Sequence, residues 1–469
     1  MDPEQVKKRQ TLRVLFSEAM MVLSVIIIMT VLIMITSGYW INQNFEVERQ
    51  GMLQVYSSPT GADIIVDGDS GWLAKTNGSK IVSGGEHEVK IAKEGYDTWT
   101  KKVNVREGLM YRLPYVRLFP LERETEKVGE YDVAISSVSP DRNLMLIINN
   151  TTSWRLLHLN KTEVNTTNVD VSKIFDLGDE ASLSAENIAS VKWSIDGNRV
   201  LVKTYKDGQV EWALVDIKHA DKSINLSKIF DEKFDNIKFV NHSGDTLLVE
   251  GDGNLRKISV EDQSLSKVLA TKVSNFDIYN GGVIYVANDD GVKRIYSMKD
   301  LEDDAVLITE LGGEKTFATV TRFYEDEYLV IVNDDKFYLY IGSLPKEDND
   351  ESFEKILEAE IGFMPETIKA GTNGEFFVVK NGKNVATLDL ESEKVLRFEV
   401  DAEKIGWVDN YMMYAVDDDG TLFVYDYDGL NRRELSKNAS GRFSVTICED
   451  KWLYYFSDGW LVRENLMSK

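Results

Sequence analysis

Residues able to do acid–base, metal or nucleophilic chemistry are few in this chain, and they are scattered. The four histidines, His87, His158, His219 and His242, fall in separate segments, and no two have ligand spacing. No HExxH pair, Walker A sequence, GxSxG elbow or GxGxxG entering a helix occurs. The single cysteine, Cys448, excludes a disulfide framework and any CxxC-type zinc site. Asp-rich segments such as Asp417-Asp418-Asp419-Gly420, Asp289-Asp290 and Asp426-Tyr427-Asp428-Gly429 offer the oxygen ligands that suit calcium, but none has EF-hand spacing or its terminal Glu. Asp and Gly at such points are also what hairpin turns demand. The carboxylate pair of a glycoside hydrolase is a spatial feature that sequence order does not reveal. No catalytic, cofactor-binding or metal-binding residue is therefore assigned, and no cofactor is expected.

The elements that would carry any site are clearer. From Ala19 to Phe45 there is no charged residue, and Met20 to Trp40 reads MMVLSVIIIMTVLIMITSGYW, long enough to cross a bilayer as an α-helix. Lys7, Lys8, Arg9 and Arg13 precede this stretch, whereas Arg49 alone lies close behind it. The positive-inside rule then places the N-terminus in the cytoplasm, with the aromatic pair Tyr39 and Trp40 at the far interface. The expectation is a cytoplasmic tail over residues 1–17, an uncleaved single-pass signal-anchor helix over 18–40 and a linker over 41–50.

Charge is partitioned along the chain. Of the 54 basic and 78 acidic residues, the 348 residues after Leu121 hold 40 and 65, a net charge of −25. This argues against nucleic acid as a partner, because phosphate-backbone affinity comes from clustered Lys and Arg. It suits an exported domain that stands away from an anionic membrane surface.

Between residues 51 and 121 short alternating runs, at Leu53 to Tyr56, Ile64 to Val66, His87 to Ile91 and Lys102 to Val105, are separated by Gly and Pro clusters. That pattern predicts a small antiparallel β-sandwich. Pro59-Thr60-Gly61-Ala62 reads as one turn, Asp67-Gly68 as a hairpin turn that accommodates positive φ, and Gly84-Gly85 as the opening of the next strand. This stretch resembles the PEGA domain. The resemblance rests on Ser58, Pro59, Thr60, Gly61 and Ala62, the IIVDG with Asp67 and Gly68, the strand after Gly85, and Gly95-Tyr96 leading to Trp99. Thr60 departs from the Glu of the motif's name. The resemblance implies a bacterial envelope module outside the cytoplasm, a spacer with no catalytic role. Trp72 and Trp99 are candidate glycan contacts, against the competing role of core packing that aromatics usually take in small β-domains.

Beyond residue 121 a unit of about 40 residues recurs, a strand, an Asp/Asn/Gly turn, an apolar strand and a third strand ending in a polar loop. Eight copies begin near Ala134, Val191, Ile237, Phe276, Val320, Ile368, Ile405 and Phe443. SPDRN (139–143), SIDGN (194–198) and YDYDGLNRRELS (425–436) resemble the WD40-like repeats of TolB-type β-propellers. The expected fold is mainly β: one transmembrane helix, a PEGA-like sandwich and a seven- or eight-bladed propeller over residues 122–469, with residues 124–134 able to complete the last blade. The expected partners are the lipid bilayer and an envelope protein or cell-wall glycan, at the plasma membrane with the C-terminal domains outside. A propeller-type carbohydrate-active hydrolase or lyase is the alternative, and a sensor acting with another membrane protein is the third.

Overall fold

The computed structural model describes residues 3–36, 39–41, 47–71, 74–160, 163–174, 185–206, 208–345, 353–402 and 404–467. The chain divides into two compact units, Met1–Arg123 with Met467–Lys469, and Glu124–Leu466.

In the first unit, α1 runs Pro3–Thr36, so the helix includes most of the segment expected as a tail. Within it Leu15–Met34 is long and apolar enough to cross a membrane. The helix expected to reach Trp40 ends earlier, because Tyr39–Ile41 forms a strand, β1, paired with residues 47–49 of β2. Aromatic and β-branched residues favour that pairing over a further helical turn.

The other strands are β2 Val47–Ser58, β3 Asp63–Val66, β4 Gly78–Ser83, β5 Gly85–Ala92, β6 Trp99–Val105 and β7 Met110–Arg117. They form two sheets, β1-β2-β4 with β7 on β2, and β3-β5-β6. The sandwich is not wholly antiparallel, since β7 runs parallel to β2. After β6 the chain crosses to the other sheet and enters it in the direction of β2. Alternation buries Leu53, Val55, Ile64, Val66, Val89 and Ile91 between the sheets.

The second unit holds eight four-stranded antiparallel sheets among the described residues. Their first strands are Ile135–Val138, Ile188–Trp193, Asn236–Phe239, Val273–Tyr279, Thr316–Phe323, Thr367–Ala370, Ile405–Trp407 and Thr446–Cys448. The eighth sheet takes its fourth strand from β8, Glu124–Glu130, which pairs with Trp460–Asn465 as expected for residues 124–134.

The second strand of each sheet explains the architecture, because its residues alternate between the two neighbouring sheets. Leu146 and Ile148 pack toward the second sheet, while Met145 and Ile147 pack toward the eighth. Likewise Val283 and Tyr285 pack toward the third sheet, and Ile284 and Val286 toward the fifth. Shared apolar clusters join every consecutive pair from first to seventh and join the eighth back to the first. Asn438 on Asp458 and Ser457 on the Lys437 carbonyl link seventh to eighth. The sheets thus close into a ring, and strands buried on both faces read as continuous apolar runs.

The Ser-x-Asp-x-Asn turns are clips between first and second strands. Ser139 Oγ donates to Asp141 Oδ1 (2.5 Å) and accepts from Leu144 N (3.0 Å), while Asn143 Nδ2 donates to Asp141 Oδ2 (2.8 Å). Ser194, Asp196 and Asn198 repeat the pattern at 2.6 Å and 2.7 Å, with Arg199 N on Ser194 Oγ at 3.0 Å. Burial would raise the Asp141 and Asp196 carboxyls, but hydrogen bonds from the Ser and Asn outweigh it and hold both below the usual range. Replacing Asp196 with alanine should cost about 1–2 kcal/mol, since the Asn198 backbone and side-chain donors lose their acceptor and the buried Ser194 hydroxyl keeps only the Arg199 carbonyl. Thermal unfolding would show this against Ile195→Ala, whose exposed side chain should leave stability unchanged.

Candidate functional site

Within the PEGA-like unit, the residues expected to make turns do so. Asp67 (φ 51°) and Gly68 (φ 85°) both adopt the left-handed conformation, and so do Gly61, Gly85 and Gly95. Ser58 ends β2, where its carbonyl accepts from Leu118 N, and its peptide bond to Pro59 is cis. Thr76, which sequence reasoning missed, holds the Pro59-Thr60-Gly61-Ala62 loop, taking Ala62 N at 2.9 Å and lying 2.7 Å from Ser57 Oγ. Tyr96 N donates to the Lys93 carbonyl, closing the Gly95 turn.

The candidate glycan contact at Trp99 is corrected: its side chain is 2% exposed and packs edge-on against Tyr115 at 6.1 Å. It is a core residue. Trp72 lies outside the described residues. Lys7, Lys8, Arg9 and Arg13 belong to α1.

His87 is buried, with Nδ1 2.7 Å from Asp67 Oδ2 and Nε2 2.8 Å from the Ser83 carbonyl. Burial opposes the charged imidazole, but the bonds to Asp67 and Ser83 prevail and raise its pKa. The His87 hydrogen bond, then that from Glu88 N, lowers Asp67. His87 therefore stabilises the domain fully below its unfolded value of about 6.5 and loses this as pH rises through the higher folded value. Asp67 contributes above its unfolded value of about 3.9 and loses this as pH falls through the lower folded value. Thermal melts from pH 5 to 9 should show the PEGA-like unit weakening toward alkaline pH, and Asp67→Asn, which tolerates the same φ, should flatten that slope. An unchanged slope would assign it to other groups.

In the second unit the Asp-rich turns bind donors within their own loops. Asp417 Oδ1 accepts from Asp419 N (3.1 Å) and Thr421 N (2.8 Å), and Asp426 Oδ2 accepts from Asn431 Nδ2 (2.8 Å). Asp289 pairs with Lys272 and Arg294. Among the described residues no three His, Cys, Asp or Glu side chains converge.

The richest arrangement lies on the channel wall, where the first strands are tied sideways by polar side chains. Trp193 Nε1 donates to Ser137 Oγ (2.9 Å), and Lys192 Nζ to Asn236 Oδ1 (2.9 Å) and the Ile237 carbonyl (3.2 Å). Lys238 Nζ donates to Asp277 Oδ1 (2.7 Å), whose other oxygen takes the Thr319 hydroxyl. Thr321 Oγ1 donates to the Gly374 carbonyl (3.2 Å), Lys369 Nζ to the Ile405 carbonyl (2.9 Å), and Ser444 Oγ to the Ser136 carbonyl (2.9 Å). Burial, then Lys238 and Lys203, pushes Lys192 down to about 8. Burial, then Lys404, lowers Lys369. Neither lysine has a carboxylate partner among the described residues.

At the end of the channel where first strands turn into second strands, Arg142 reaches from the first sheet to the sixth and seventh. Its Nη2 donates to Thr372 Oγ1 (2.8 Å) and Asn410 Oδ1 (2.6 Å). A cavity of about 280 Å³ opens beside Thr372, between the first strands of the fourth, fifth and sixth sheets, and Asp277 is its one acidic residue. Gly374 (φ +74°) lets the wall close there, because a Cβ would meet Thr321 Oγ1 at 2.2 Å. No local sequence signal marked Arg142 or this cavity.

Residues 50–117 match the PEGA domain family. No curated protein matches the chain in sequence. Among solved structures, the C-terminal WD40 domain of Sif2 is similar at 13% identity and a TM-score of 0.46, over 74% of this chain and 99% of that one. The β-propeller domain of Myceliophteria thermophila Cps50 (Swd1) is similar at 10% identity and 0.44, over 65% and 99%. The tricorn protease is similar at 11% identity and 0.39, over 75% of this chain and 38% of that one. The chain thus carries a PEGA domain at residues 50–117, followed by a β-propeller of four-stranded sheets closed into a ring.

Proposed function

We propose that this protein is a membrane-anchored, extracytoplasmic binding protein of the bacterial cell envelope, in which the propeller holds a protein or glycan partner. Anchoring is supported by the apolar Leu15–Met34 stretch, and orientation by the basic residues before it. The PEGA domain acts as a spacer, and the propeller as a rigid disc whose turns meet the partner.

The observation that carries this reading is the composition of one face. Because all first strands run the same way around the ring, their turns into the second strands open together, as do the turns between third and fourth strands. On that face Ile195 is 60% exposed, Tyr324 58% and Leu430 46%, around a mouth crossed by Arg142. Exposed apolar side chains and an arginine are what binding surfaces use. The carbohydrate-active alternative gains less, since the cavity lining offers Asp277 alone where such hydrolysis uses two carboxylates.

The test is capture from solubilised envelope by the full chain, compared with Ile195→Asp and Tyr324→Asp. A partner retained by the parent chain and lost from both variants is expected. Equal recovery with all three would move the contact elsewhere, and no recovery of protein or wall polymer would remove the binding role. Protease shaving of intact cells should cleave the C-terminal domains, and survival of the whole chain would reverse the orientation.

A further inference from the structure

The propeller region holds 65 acidic and 40 basic residues, so a basic side chain there should readily find a carboxylate. At the channel mouth two arginines form no ion pair among the described residues. Among the described residues Arg142 has the neutral partners Thr372 and Asn410 alone, and Thr372 itself donates to Asn410 Oδ1 at 2.5 Å. Its backbone sits at φ 61°, a conformation uncommon for a residue with a Cβ. Arg322, next to the last residue of the first strand of the fifth sheet and opposite Glu327 on the second, is exposed, makes no hydrogen bond or ion pair among the described residues, and lines the cavity of about 280 Å³.

The remaining lining is suited to a hydroxylated ligand. Thr319, Thr321 and Thr372 already donate to Asp277, the Gly374 carbonyl and Asn410, and Asn373 donates to Glu375, so they offer a ligand's hydroxyls their oxygen lone pairs and the second Asn373 N–H, while Asp277 is matched by Lys238 and Thr319. An unpaired guanidinium presents a planar fork of donors that fits a carboxylate or phosphate. The volume is at the lower end of ligand pockets, about that of a single sugar unit.

The geometry points to an oxyanion site at this mouth, in which Arg322 and Arg142 bind a carboxylate or phosphate carried on a polyhydroxylated group of about one sugar's size. This rests on the binding reading above and names the chemistry of what is bound. The group can arrive as a free small molecule or as a unit of an anionic polymer, and the two sources bring the same contacts.

The test is calorimetric titration of the full chain in detergent at low ionic strength. Glucuronate and glycerol 1-phosphate are the anionic probes, glucose and glycerol the neutral controls, and polygalacturonate the polymer. Saturable binding of at least one anionic probe, absent for the neutral controls and weakened by salt, is expected. Arg322→Gln should weaken it about tenfold, as loss of a charge-assisted hydrogen bond does, with partial recovery in Arg322→Lys. Arg142→Gln should act in the same direction. Because Arg322 is exposed, its variants should keep the parent circular dichroism spectrum. Polymer binding much tighter per unit than the free probes would assign the source to a polymer, and equal affinity to a free ligand. Failure of every anion to bind, or binding unchanged in both arginine variants, would overturn the inference. In that event envelope capture that still depends on Ile195 and Tyr324 would leave the binding role standing without it.

Discussion

Replacing Tyr454 with alanine is expected to destabilise the propeller by about 3–5 kcal/mol, the cost of emptying a fully buried aromatic site. Tyr454 has no exposed surface and packs with Met145, Ile147 and Leu157 of the first sheet. Its hydroxyl donates to the Leu159 carbonyl at 3.0 Å. This is the seam where the eighth sheet, completed by β8, meets the first, so a cavity here weakens the closure on which the other contacts depend. Tyr454→Phe keeps the ring and removes the hydroxyl's bonds to the Leu159 carbonyl and the Arg463 side chain, so it should cost about 1–3 kcal/mol. Urea unfolding of the full chain followed by tryptophan fluorescence would separate the two variants. Equal midpoints for the parent and Tyr454→Ala would mean that the ring does not rely on this seam.

Trp99→Ala should have a comparable effect in the PEGA domain, about 3–5 kcal/mol, for the same reason. A domain of this size has a net stability of only about 5 kcal/mol, so most molecules of the variant should lose its packing. Hydrogen exchange resolves the outcome by region: amides of residues 50–117 should lose protection while those of 124–466 keep theirs. A surface glycan contact would behave otherwise, leaving protection intact.

The legible parts of this fold share a physical cause. The turns at Asp67-Gly68, Ser139 to Asn143 and Ser194 to Asn198 were readable because each needs a particular residue, glycine or aspartate for positive φ, or Ser, Asp and Asn for the clip. The second strands were readable because burial on both faces makes them apolar throughout, as in LMLII at 144–148 and FFVV at 376–379. The fourth strands were not. Asn165–Asp170 is NTTNVD, mostly exposed, and Ser264–Leu265 is two residues long. Strands at the rim bury little and so carry little pattern, which is why each unit read as three strands and blade number stayed at seven or eight. The parallel pairing of β7 with β2 was hidden for another reason, since pairing direction depends on how the chain crosses between sheets.

The candidate site was the least legible part. Arg142 lies more than two hundred residues before Thr372 and Asn410, and nothing in their local sequence links them. Trp99 shows the converse, an aromatic whose type suits a glycan but whose placement on β6 turns it into the core.

By itself, the amino-acid sequence determined what depends on neighbours along the chain: an apolar stretch of membrane-crossing length, the PEGA turns, and repeated strands that must be covered on both faces. Tertiary structure alone decided that eight sheets close into a ring, and that closure sets Arg322 beside a cavity and Arg142 on the neutral side chains of Thr372 and Asn410 at one mouth. Local pattern follows from backbone geometry and burial over a few residues, whereas which charges face each other across a channel follows from where the ring closes.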